Sequence, residues 1–166
     1  LSSDSAPLTP SERAEMEAAI VRAVVGGVTD VTDGEWGERD WLHLLVDIEL
    51  AAKEDRSSSI TFAFARLPGQ AVEKVAFRLP QEAKRLFRQL ADAMDTSSNG
   101  RWSSARLRVS RDGRYTLEFS YEPPWRLGGN LIDKRFDGAL EHWLASDEGA
   151  PYRPRVKRWW QGRLGV

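Results

Sequence analysis

Residues 42–50 read LHLLVDIEL. Leu42, Leu44, Val46, Ile48 and Leu50 alternate with His43, Asp47 and Glu49, the two-residue period of a strand with one buried face. Downstream, residues 53–58 form a polar turn; Ile60, Phe62 and Phe64 then share one face while small Ala63 and Ala65 take the other. Pro68-Gly69 turns the chain again, and Val75, Phe77 and Leu79 mark a third strand alternating with Lys74, Ala76 and Arg78. Connections this short join antiparallel neighbours, because parallel pairing needs a crossover of about a dozen residues or more. The three strands are therefore expected to form a meander.

Upstream, Thr9-Pro10-Ser11-Glu12 opens a helix: a capping hydroxyl, proline at the first helical position and a glutamate three residues past the cap satisfy the free amides. Met16, Ile20, Ala23 and Val24 fall on one face of it, and Gly26-Gly27 ends it. Beyond the meander, Pro80 starts a second helix with Ala83, Leu86, Phe87, Leu90, Ala91 and Met94 at helical spacing and Lys84, Arg85, Arg88 and Asp92 opposite. Such a helix packs on the sheet by one side. Residues 102–110 and 114–121 read as strands joined around Asp112-Gly113, a strong hairpin signal. A last helix is expected over residues 133–145, burying Phe136, Leu140, Trp143 and Leu144. This order predicts an α+β domain: an antiparallel sheet of about five strands, meander plus hairpin, packed with N-terminal, central and C-terminal helices. The domain is expected to span residues 1–145, with residues 146–166 a Pro-, Arg- and Trp-rich tail docked on it.

The chain has 166 residues, 41% apolar and 30% charged, with no cysteine, two histidines and seven tryptophans. That length suits one domain with a real core. The absence of cysteine excludes disulfide scaffolds, thiol nucleophiles, iron–sulfur clusters and cysteine zinc sites. No phosphate-binding loop, nucleophile elbow, dinucleotide fingerprint or H-E-x-x-H motif occurs. No run reaches the roughly 18 apolar residues of a membrane span, and no signal peptide precedes the fold, so the reading is cytoplasmic.

The net charge of −1 conceals an asymmetry. Residues 1–100 hold 17 acidic and 11 basic side chains, whereas residues 101–166 hold 8 acidic and 13 basic. Asp30, Asp33, Glu35, Glu38 and Asp40 form either a hydrated loop or a docking surface for a basic partner, with Trp36 and Trp41 as aromatic anchors. Asp47 and Glu49, about 7 Å apart on one strand face with His43, read as a solvated face; the alternatives are an acid–base pair or part of a cation site. In the tail, Arg153, Arg155, Lys157 and Arg158 interleave with Trp159 and Trp160. This pattern suits either docking on the acidic strand face or stacking with single-stranded nucleic acid.

Gly100-Arg101-Trp102 entering a strand, Arg111-Asp112-Gly113 at the turn, Phe119-Ser120-Tyr121-Glu122 closing the second arm, and Arg135 followed by Trp143 form a recognisable combination. With Trp41 leading the first strand and the amphipathic helix between, residues 36–145 resemble the YezG-like family of bacterial immunity proteins. The resemblance implies a cytoplasmic antitoxin of a polymorphic or contact-dependent toxin system. Such a protein binds the toxic C-terminal domain of a secreted effector, often a nuclease, and blocks it stoichiometrically. It implies no enzymatic turnover, cofactor or metal, and no membrane partner. With the charge pattern, it makes Asp30, Asp33, Glu35, Trp36, Glu38, Asp47 and Glu49 the expected toxin-binding residues. The alternative is a nucleic-acid-binding accessory protein acting through the tail.

Overall fold

A computed structural model describes residues 6–95 and 100–154. The elements run α1 (Pro10–Gly26), β1 (Asp40–Leu50), β2 (Ser57–Arg66), β3 (Glu73–Ala76), α2 (Gln81–Met94), β4 (Ser104–Ser110) and β5 (Tyr115–Ser120), followed by a short 3-10 turn (Lys134–Phe136), α3 (Ala139–Ala145) and a second 3-10 turn (Ala150–Tyr152). All five strands join one antiparallel sheet in the order β3-β2-β1-β4-β5. This is the expected α+β fold, with β1 at its centre.

The two faces of the sheet are covered differently. Leu44, Val46, Ile48 and Leu50 of β1, Ala63 and Ala65 of β2, and Ala105, Leu107 and Val109 of β4 face the two long helices. Against them pack Ile20 and Val24 of α1 and Ala83, Phe87, Leu90 and Ala91 of α2. The alanines of β2 have no bulk to hold a helix away, so the large residues come from the helices. The opposite face presents Leu45, Phe62 and Phe64, which pack with Phe136 and Trp143 of the C-terminal segment. α1 begins as its cap predicts: the Glu12 amide donates to Thr9 Oγ1 at 3.1 Å and the Thr9 amide donates back to Glu12 Oε1 at 3.3 Å.

Three local expectations are corrected. A bulge between Trp41 and His43 turns Leu42 to the C-terminal side, where it joins Phe62 and Trp143 rather than the rest of its alternating set. β3 ends at Ala76; Phe77 leaves it to bridge Val31 and fill the helix-side core. The expected helix over residues 133–145 is two pieces, because Gly138 between them is left-handed, with φ 69°. Contacts with the sheet continue past residue 145. Glu148 accepts hydrogen bonds from Trp143 Nε1 at 2.5 Å and from the Ser110 hydroxyl, and Tyr152 stacks on Trp143. Residues 146–152 thus complete the domain. Among the described residues no helix is long and apolar enough to cross a membrane.

Candidate functional site

Asp47 and Glu49 are not a solvated strand face. Asp47 is 3% exposed and Glu49 fully buried. A buried carboxylate is tolerated only when charge and donors are supplied to it, and the loop after β5 supplies both. The consecutive amides of Trp125, Arg126 and Leu127 donate to Glu49 at 3.0, 2.8 and 2.9 Å. The Arg126 guanidinium reaches Asp47 Oδ1 at 2.9 Å, Ser58 Oγ at 2.8 Å and Asp133 Oδ2 at 2.8 Å. Arg106 on β4 binds the other Asp47 oxygen at 3.1 Å, and Arg135 bridges Asp133 at 2.6 Å and Glu49 at 3.6 Å. Three carboxylates therefore face three guanidinia. Hydrogen bonds from Arg135, and then from Arg126, hold the Asp133 carboxyl far below the usual range.

This removes Asp47 and Glu49 from the expected toxin-binding surface and gives them a different task, fastening residues 123–135 across the sheet. Every oxygen of the pair accepts at least one hydrogen bond, and both carboxylates lie out of contact with water. Among the described residues no group of three or more histidines and carboxylates is placed to hold a metal ion. Nothing in the sequence singled out Arg126 or Asp133. The available signal was the pair of carboxylates on a central strand, which demands cations from elsewhere in the chain.

His43, on the same face, is buried against Phe64 and Trp143. Its Nδ1 lies 2.6 Å from Glu148 Oε2. Burial lowers its pKa below the ordinary 6.5, and Glu148 only partly opposes this. Burial would raise Glu148, but the hydrogen bonds from Ser110 and Trp143, with His43, hold it below its ordinary value. The cluster ties the C-terminal segment to β1 and β4.

The acidic segment before β1 is placed differently. Asp30, Asp33, Glu35 and Glu38 are exposed, and Trp36 is half-buried against the helix-side core. The segment is braced at both ends. Arg78 donates from its amide to Asp30 O at 2.8 Å and from its guanidinium to Asp30 Oδ1 at 2.9 Å, and Arg39 clamps the carbonyls of Glu35 at 2.6 Å and Trp36 at 3.2 Å. Asp30 and Asp40 are thus paired, with Arg78 and Arg111. Asp33, Glu35 and Glu38 have no ion-pair partner among the described residues. Beside them Glu38, Glu73, Leu67, Pro68, Gln70 and Ala71 line a shallow cleft of about 500 Å³. Trp41 is buried under Arg111 and belongs to the core.

Of the basic tail, the exposed Arg153 folds back on the end of α3, donating to Leu144 O at 2.5 Å and Ala145 O at 3.0 Å. Its neighbour Tyr152 sits between Trp143 and the Arg66 guanidinium. This stretch docks beside α3 and not on the carboxylates of β1. Arg155, Lys157, Arg158, Trp159 and Trp160 lie outside the described residues. Compared with known proteins, the chain matches no family model and no curated protein.

Proposed function

We propose that this chain is a cytoplasmic immunity protein, which neutralises the toxic domain of a secreted bacterial effector by binding it one to one, without turnover. The observation that supports this most is the braced acidic segment. Asp33, Glu35 and Glu38 have no ion-pair partner among the described residues, and they stand around Trp36 on backbone that Arg39 and Arg78 hold in place. Preorganised like charges raise the rate at which a basic surface is met, and little ordering cost remains on docking. The neighbouring cleft offers Leu67 and Pro68 to the aliphatic stem of a lysine or arginine, with Glu38 placed for its head; Glu73 beside it already pairs with Arg39 at 3.4 Å. The YezG-like resemblance over residues 36–145 points to the same class of partner.

The test is to clone the C-terminal domain of any exported protein encoded beside this chain and to co-express the two, scored by survival and co-purification. Survival and a stable complex are expected with the wild type. The triple reversal of Asp33, Glu35 and Glu38 to lysine is expected to weaken the complex by about 100-fold and to remove its salt dependence. Neither rescue nor complex formation by the wild type refutes the reading; unchanged affinity in the triple variant moves the surface elsewhere.

A further inference from the structure

The C-terminal segment does not close over the whole of the sheet face that it covers. Between it and β4 lies a cleft of about 670 Å³, within the roughly 300–1,000 Å³ of small-molecule sites. The buried Leu45, Phe64 and Trp143 give the cleft an apolar lining, and Arg106, Arg108 and Arg135 line it as well. Arg106 and Arg108 stand two apart on β4, opposite Asp47 and Leu45, so both project on this face. Arg106 and Arg135 are fixed in place: their guanidinia lie over the Phe136 ring at 4.7 and 5.6 Å while holding carboxylates of the buried network. Among the described residues Arg106 spends only Nε on that network, and Arg135 only Nε and Nη2. Both terminal nitrogens of Arg106 and one of Arg135 thus keep donors for another acceptor. Arg108 makes no hydrogen bond among the described residues, and its ion pair with the exposed Glu118 is 3.8 Å long. An exposed pair of that length is worth little, so the fork of Arg108 is available. Its charge is felt at His43, where it adds to the lowering of that pKa. Of the two carboxylates in the lining, Glu148 is engaged by Ser110, Trp143 and His43, and Asp137 is exposed.

We propose that this cleft binds a small aromatic anion, with a flat apolar body against Leu45, Phe64 and Trp143 and a phosphate or carboxylate group taken by Arg108 and the spare nitrogens of Arg106 and Arg135. The two halves of the ligand follow from the two halves of the lining. A free inorganic anion would leave the apolar side chains facing water, and a neutral apolar molecule would leave the guanidinia without an acceptor. Planar guanidinium forks match the oxygens of both anionic groups, and aromatic lining favours a flat ring. The inference uses no residue of the acidic segment, so it stands or falls apart from the immunity reading.

Isothermal titration calorimetry of the full chain with 1-naphthyl phosphate and with 1-naphthoate tests it, the tighter of the two naming the anionic group. One-to-one binding is expected with a dissociation constant of about 1 mM or lower, and inorganic phosphate and 1-naphthol should each bind at least about tenfold more weakly. Arg108→Gln should weaken the aryl anion at least about tenfold. Its circular dichroism should be unchanged, because the side chain is half exposed and hydrogen-bonds to nothing among the described residues. Arg85→Gln, on α2 across the sheet, should leave binding as it is. No binding up to about 10 mM overturns the proposal, as does equal binding of inorganic phosphate or naphthol. Unchanged affinity in Arg108→Gln, or an equal loss in both arginine variants, overturns it too.

Discussion

A carboxylate with no solvent contact survives in a fold only when donors surround it, and Glu49 recruits three successive amides together with the charges of Arg126 and Arg135. Glu49→Gln keeps the volume but removes the charge and turns an NH₂ group toward amide donors. Its expected cost is about 3 kcal/mol in urea unfolding. A loss under about 0.5 kcal/mol would show that the loop is held by other means. His43 gives a pH-dependent prediction. Its pKa is lower in the folded protein than the ordinary 6.5, so the unfolded chain binds the extra proton first as pH falls, and acid favours unfolding. Glu148, held below 4.5, adds a loss of the same sign at lower pH. Stability should therefore decline from about pH 7 to 5, and His43→Gln, which donates without titrating, should flatten that slope. An equally steep slope in the variant assigns the decline to other groups.

Among the elements, α1 is the one most completely specified by its own residues. Thr9, Pro10 and Glu12 form the cap that their spacing implies, and Thr9→Ala should cost about 1 kcal/mol of unfolding free energy. The hairpin of β4 and β5 also follows from local chemistry, since Gly113 takes the positive φ, 90°, that its turn needs. α3 shows where local reading stops. Phe136, Leu140, Trp143 and Leu144 keep helical spacing across residue 138, so periodicity runs through the break. The left-handed Gly138 lets the 3-10 turn set Phe136 over Phe62 and α3 set Trp143 over Phe64. Gly138→Ala should therefore lose about 1 kcal/mol without lengthening the helix in far-ultraviolet dichroism. A gain in helicity would contradict this account.

Over the described chain, helices cover one face of the sheet and an ion-paired C-terminal segment covers the other. Removing residues 146–166 should strip Glu148 from His43, Ser110 and Trp143 and lower the melting temperature by about 10 °C or more. An unchanged melting temperature would show that these contacts add nothing to stability. The sequence alone determined the strands, the two long helices and the antiparallel pairing, because alternation, capping residues and short turns act over a few neighbouring positions. It equally determined that residues 30–40 carry a dense negative charge around Trp36. Tertiary structure alone decided whether the carboxylates of β1 meet water. Alternation places Asp47 and Glu49 opposite Val46 and Ile48, but it does not say what lies above them. The answer is Arg126, 79 residues from Asp47, whose loop carries no periodic signal of its own. Long-range charge pairing leaves no local pattern, so the acidic strand became the fastening of the fold, and the exposed acidic loop is left as the proposed docking surface.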